Sequence, residues 1–218
     1  MAGIKAIETS YKGYRFRSRL EARWAVFFDA LGIEWTYETQ GYEKSFEDAD
    51  LEGGTHVIRY LPDFHLPATQ TWVEVKGSDD QLKEDSGWME EFLDYGCPLT
   101  HFTDSSLRSP DTWNKCRGLL ILGEVPDPTR WGLNVHRLIR HHKGLDYEWA
   151  YFGHGAAAGV MPVVLEGGMA EWFQTRDAPW WTTRSGFIPT HYAFTKVQEA
   201  YRAARSARFE HGESGARR

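Results

Sequence analysis

Cysteine is scarce in this chain. Of 218 residues only Cys97 and Cys116 carry thiols. That is too few for a disulfide framework, and the pair reads as two reduced thiols of a cytosolic protein. No CxxC pair occurs, which argues against a structural zinc knuckle. No apolar run approaches the roughly 20 residues that a membrane-spanning helix needs. The start, Met1-Ala2-Gly3-Ile4-Lys5, has no apolar signal-peptide core. A cytoplasmic protein with no membrane partner is therefore expected. Internal repeats and low-complexity tracts are missing too. Positive charge is not in excess: the net charge is −6, which at first sight argues against nucleic acid.

What is present is a large apolar and aromatic fraction, 41% and 15%, with 10 Trp. That is enough for a substantial core in one domain, or in one domain with an extension. Charge is unevenly spread. Lys5, Lys12, Arg15, Arg17, Arg19 and Arg23 face only Glu8 and Glu21 over the first stretch. Residues 34–94 are strongly acidic, and the tail turns basic again at Arg202, Arg205, Arg208, Arg217 and Arg218. An acidic centre between basic ends suits a metal site flanked by phosphate-binding arms. It equally suits an ordinary solvated surface.

Periodicity places the elements. Leu20, Trp24, Phe27, Phe28 and Leu31 form one apolar stripe, so residues 14–32 read as a helix with its entry, capped by Ser18 and ended by Gly32. Residues 33–38 alternate as a half-buried strand. Residues 41–55 read as a loop or hairpin tip. Residues 56–64 form the next strand, with Pro62 ending or bulging its pairing. A turn at 67–70 leads to a strand at 71–76. A helix follows over 80–95, a helix entry at Ser109-Pro110-Asp111, and a strand over 119–125. After Pro126 the pattern predicts a short helix at 135–142, strands at 149–152 and 161–165, and a C-terminal helix at 191–210. Two units result: residues 1–126, and an α+β extension, 127–218, packed on the first and able to touch DNA or a partner.

The chemistry lies on the middle strands. Glu74 and Lys76 point to one face of their strand while Val73 and Val75 point to the other. Such a pair is common on solvated strands. This strand, however, is apolar and reads as central, where a charge must be paired or bind a cation. Asp63, one short turn earlier, would meet Glu74 across an antiparallel pair. Two carboxylates in contact raise each other's pKa, and a bound Mg²⁺ would remove that penalty; Asp63 is also ordinary turn chemistry after Pro62. Glu21, beside Leu20 and Trp24, can face the sheet. It also fits a capping box with Ser18.

Together, Arg17-Ser18-Arg19-Leu20-Glu21, then Tyr60-Leu61-Pro62-Asp63-Phe64, then Val73-Glu74-Val75-Lys76 resemble the PD-(D/E)XK nuclease superfamily. The form is closest to the endonuclease subunit of heteromeric transposases and to small phage nucleases. The matching stretch is about residues 14–125. The resemblance implies a restriction-endonuclease-like αβββαβ core with a mixed central sheet, and Mg²⁺- or Mn²⁺-dependent endonucleolytic hydrolysis of DNA in a phage or mobile element. Asp63 and Glu74 would be metal ligands, joined by Glu21 and the Val75 carbonyl. Lys76 would orient or activate the attacking water. Gln40 falls loosely where such nucleases carry a polar residue. Beyond Pro126 no helix-turn-helix and no transposase partner is identifiable; a protein partner or homodimer stays open.

Other motifs are discounted. Gly153-His154-Gly155-Ala156-Ala157-Ala158 matches G-x-G-x-x-A, but Gly159 and Pro162 break the helix a dinucleotide site needs, so no organic cofactor is expected. His136, His141 and His142 lie among Arg137, Arg140 and Lys143 and read as a basic patch or a solvated helix face. Trp180-Trp181 could stack bases or pack the extension. The alternative to an enzyme is a catalytically silent nuclease-fold module for DNA binding or protein assembly.

Overall fold

The computed structural model describes residues 7–48, 54–78, 118–129, 132–141, 145–154, 159–165, 182–185 and 193–209. The helix entry is itself a hairpin, β1 (Thr9–Tyr11) and β2 (Tyr14–Phe16), with Tyr11 opposite Tyr14. Lys12 and Gly13 both have positive φ, the backbone of a type I′ turn. Helix α1 therefore starts only at Arg19 and runs Arg19–Leu31. Ser18 caps it, its Oγ accepting the Glu21 N–H at 3.2 Å. Gly32, at φ 70°, ends it in the left-handed conformation that glycine tolerates best, and the Ile33 N–H returns to Phe28 O at 2.9 Å. Trp24, Phe27 and Phe28 are fully buried, whereas Leu20 and Leu31 are only partly so.

An eight-stranded sheet forms the body: β3 (Thr36–Tyr37), β6 (Phe64–Leu66), β7 (Thr71–Val75), β8 (Gly118–Leu122), β9 (Leu133–His141), β10 (Leu145–His154), β11 (Val160–Val164) and β12 (Thr182–Ser185). The order is β11-β10-β9-β8-β7-β6-β3, with β12 on the N-terminal half of β9. Only β7 and β8 are parallel, so the sheet is mixed. A hairpin of β4 (Tyr42–Asp48) and β5 (Gly54–Tyr60) stands apart as its own two-stranded sheet. Helix α2 (Phe194–Ser206) packs on α1 and on β10. This is a mixed α/β fold with two helices among the described residues, and strands from both sides of residue 126 share one sheet. No described helix is long and apolar enough to cross a membrane.

Gly118 opens β8 at φ 142°, and a Cβ there would lie 2.5 Å from Ile139 O, so glycine is required where β8 meets β9. All five β8 residues are buried, as expected of a central strand covered on both faces.

Several sequence expectations are corrected. Of the predicted helix 135–142, residue 142 lies outside the described residues, and residues 135–141 are instead most of the long strand β9. Its described side chains are nearly all buried, so two-residue alternation is erased and the pattern mimics a helix. Of the loop or hairpin tip expected over 41–55, residues 42–48 and 54–55 belong to the paired strands of a hairpin, and 49–53 lie outside the described residues. The predicted strand 56–64 is two strands, because pairing stops at Leu61-Pro62, where proline has no N–H to donate. His136 is not in a surface patch: it is fully buried, 3.1 Å from Tyr201 Oη and against Trp24 and Phe152. Burial drives its pKa down to about 3, so it is neutral. Arg137 lies over the Trp149 ring at 4.4 Å and Arg140 pairs with Glu148. The predicted helix at 80–95, the entry at 109–111, Cys97, Cys116, His142, Lys143, Trp180 and Trp181 lie outside the described residues.

Candidate active site

Four elements meet at one end of the sheet: the first turn of α1, the end of β3, the start of β6 and the end of β7. The β6–β7 register pairs Phe64 with Val73, and one further step sets Asp63 against Glu74. Phe64 and Val73 belong to the apolar core. Alternation then turns Asp63 and Glu74 away from that core and onto the same side as each other. On its other edge Asp63 stays tied to the sheet, its carbonyl accepting the Glu38 N–H at 2.9 Å. Lys76 follows β7, its N–H continuing the parallel ladder to Leu122 O at 2.9 Å.

All four named side chains are buried: Glu21 6%, Asp63 2%, Glu74 6% and Lys76 8% exposed. Each carboxylate is held by internal donors. Asp63 Oδ2 accepts the Val75 N–H at 2.7 Å, and Oδ1 accepts from Arg17 Nη2 at 2.6 Å. Glu74 Oε2 accepts from Tyr60 Oη at 2.6 Å, and Oε1 lies 2.9 Å from Lys76 Nζ. Glu21 Oε1 accepts from Ser18 Oγ at 2.6 Å. Its Oε2 accepts from Tyr37 Oη at 2.5 Å and from the Arg17 N–H at 3.1 Å. Arg17 Nε also pairs with Glu38 Oε1 at 2.6 Å.

Carboxylates outnumber cations here, and the imbalance falls on Asp63. Burial, then the charges of Glu74 and Glu21, push its pKa well above the usual carboxylate range, against the Val75 N–H and Arg17. Burial works against the Arg17 charge, but Asp63, Tyr37, Glu38 and Glu21 outweigh it and raise its pKa. Burial and then Glu21 raise the Tyr37 phenol.

The carboxylates of Asp63, Glu74 and Glu21 are the side chains here that could hold a hard divalent cation. The cluster offers buried carboxylate oxygens. Burial, then the charges of Glu74 and Glu21, raise the Asp63 pKa, and a bound cation would relieve that repulsion. Occupancy requires that an internal donor, Arg17 or Lys76, give way. Among the described residues no three Asp, Glu, His or Cys side chains already stand in ligand geometry about one point. Asp63 and Glu74 are brought together. Glu21 is close enough to raise the Asp63 pKa, yet its own hydrogen bonds run to Ser18, Tyr37 and the Arg17 main chain. Only half of the capping box forms: Ser18 Oγ accepts the Glu21 N–H, but the Glu21 carboxylate takes the Arg17 N–H rather than that of Ser18. Val75 contributes its N–H to Asp63. Gln40 is exposed.

Sequence reasoning missed Tyr37 and Tyr60 as phenol donors, and Arg17 as the clamp on Asp63. Tyr60 and Arg17 stood inside the quoted motifs. Two carboxylates destined for burial need buried donors, and that was the available signal. Comparisons of the chain with family models, curated proteins and solved structures found no match.

Proposed function

We propose that the protein is a metal-dependent DNA endonuclease of the restriction-endonuclease-like class, serving DNA processing in a phage or mobile element. One observation carries this reading: Asp63, Glu74, Glu21 and Lys76 are all buried in one pocket at a sheet end. Burying four charges costs several kcal/mol apiece before pairing. An apolar set would pack there at less cost, so the retained charge points to chemistry. Asp63 and Glu74, with Glu21 and the Val75 carbonyl, would hold Mg²⁺ or Mn²⁺, which supplies Lewis-acid polarisation of a phosphate and a water of lowered pKa. Lys76, 2.9 Å from Glu74, would be the cation placed to orient a water and to steady charge on the phosphate oxygens. Tyr60 and Tyr37 fix the rotamers of Glu74 and Glu21, as a preorganised site requires.

The test is cleavage of supercoiled, linear and branched DNA with Mg²⁺, Mn²⁺ or EDTA. Metal-dependent cutting that is lost in Asp63→Ala is expected. No cutting of any substrate, or full activity in Asp63→Ala, sinks the proposal. RNA in competition assigns the sugar preference.

A second reading has its own support. Every Glu21, Asp63 and Glu74 oxygen already has an internal donor, as in a silent module that keeps the fold for DNA binding or assembly. It requires metal-independent binding that survives Glu74→Ala.

A further inference from the structure

Arg17 and Lys76 neutralise the same pocket but are placed differently. The Lys76 side chain is 10% exposed, whereas that of Arg17 is 56% exposed although it pairs with a nearly inaccessible Asp63. The backbone of Arg17 is fixed: its N–H is shared between Glu21 Oε2 and Tyr37 Oη, both at 3.1 Å. Its side chain uses Nη2 on Asp63 and Nε on Glu38. A guanidinium has five N–H donors in a planar fork that matches phosphate. A tethered main chain carrying a half-exposed, forked cation on a buried carboxylate has the form of a substrate clamp.

We propose that Arg17 is the phosphate-binding residue of the site, and that it exchanges Asp63 for a DNA phosphate when a divalent cation takes up the carboxylates. The proposal rests on the nuclease reading. While the pocket lacks a cation, Arg17 covers Asp63 and limits the repulsion from Glu74 and Glu21. A cation makes that cover redundant, and the exposed guanidinium then turns to the anion arriving beside it. Arg17 thereby competes with metal yet assists DNA, so its removal must move the two affinities apart. A purely structural ion pair would lower both together.

The experiment compares wild type, Arg17→Ala and Arg17→Lys in Mn²⁺ binding without DNA, in binding of a DNA duplex in Ca²⁺ across a salt series, and in Mg²⁺-dependent cleavage. For Arg17→Ala the Mn²⁺ Kd should be unchanged or lower. Its DNA Kd should rise about 10-fold or more, and the slope of log Kd against log salt should fall by about 0.9, the loss of one phosphate contact. Arg17→Lys should keep the wild-type slope but recover only part of the affinity, lacking the fork. Unchanged DNA affinity and slope in Arg17→Ala overturn the proposal, as does a loss of Mn²⁺ affinity that matches the loss for DNA. If Arg17→Ala does not fold, wild-type DNA affinity in Arg17→Lys overturns it. A wild type that neither binds Mn²⁺ nor cuts DNA removes the nuclease reading as well; a wild type that cuts, with Arg17→Ala its equal, removes only this one.

Discussion

Two of the places where the described residues bury polar groups treat them in opposite ways. In the helix–sheet core, His136 sits fully enclosed by Trp24, Phe152 and Tyr201, discharged by its surroundings. Its Nε2 meets Tyr201 Oη, while Nδ1 has no hydrogen-bond partner. At the sheet end, Asp63, Glu74 and Glu21 are almost as inaccessible, yet they come with two cations and two phenols. A structural polar group is tolerated by losing its charge; the pocket keeps charge and assembles partners around it. The difference separates a group neutralised by its surroundings from groups held by charged and phenolic partners.

The comparison breaks first at Asp63. Asp63→Asn should cut metal-dependent cleavage by about 1,000-fold, the effect of losing several kcal/mol of charge stabilisation. The same change should raise stability at neutral to alkaline pH. Asp63 has a folded-state pKa above its unfolded one, so its favourable contribution is complete at low pH and is lost as pH rises through the folded value. Denaturant midpoints for both proteins from pH 4 to 9, without and with Mn²⁺, check this. Mn²⁺ should cancel the wild-type decline. A wild-type stability that rises relative to Asp63→Asn over that range contradicts the electrostatic account.

The opposite sign belongs to His136. Its folded pKa, about 3, lies below the unfolded value near 6.5. Its contribution is complete above pH 6.5 and is lost as pH falls from there toward 3. The slope is about 1.4 kcal/mol per pH unit, or roughly 2 kcal/mol by pH 5. His136→Phe should flatten that part of the acid limb in urea melts, whatever it does at pH 7. Next in size, Tyr201→Phe removes the His136 partner and should cost about 1–2 kcal/mol at pH 7 by denaturation. The smallest effect is Ser18→Ala, about 1 kcal/mol through the lost helix cap. It also frees one Glu21 oxygen, so a cleavage rate closer to wild type than to Asp63→Asn is the expected accompaniment.

Where the sequence was informative, a strong local rule operated. Ser18 and Gly32 mark helix α1 because capping is local. Asp63 and Glu74 could be placed opposite one another because a short turn fixes antiparallel register. Where it misled, burial on both faces or a long-range partner decided the outcome. Strand β9 looked helical because cover on both faces hides the alternation, and His136 joined a surface patch only because Arg137, Arg140 and Lys143 follow it in the sequence. Tyr37 and Tyr60 became donors through contacts 16 and 14 residues away, beyond any local rule. The αβββαβ arrangement is the finest statement the motifs allow; the mixed sheet with β7 and β8 parallel is consistent with it and with other α/β folds.

That one parallel pair has a consequence in time. Antiparallel β6 and β7 can close through a short turn, but β8 must return from a distant stretch of chain, and such long closures come late in folding. Glu74 opposes Ile121 and the Lys76 N–H reaches Leu122 O, so the spacing of the charged pair is set by that late arrival. A growing or truncated chain that stops short of Gly118 holds Asp63, Glu74 and Lys76 in its sequence while lacking the strand that aligns them. The alignment of the charged cluster would thus be withheld until the body of the sheet is complete.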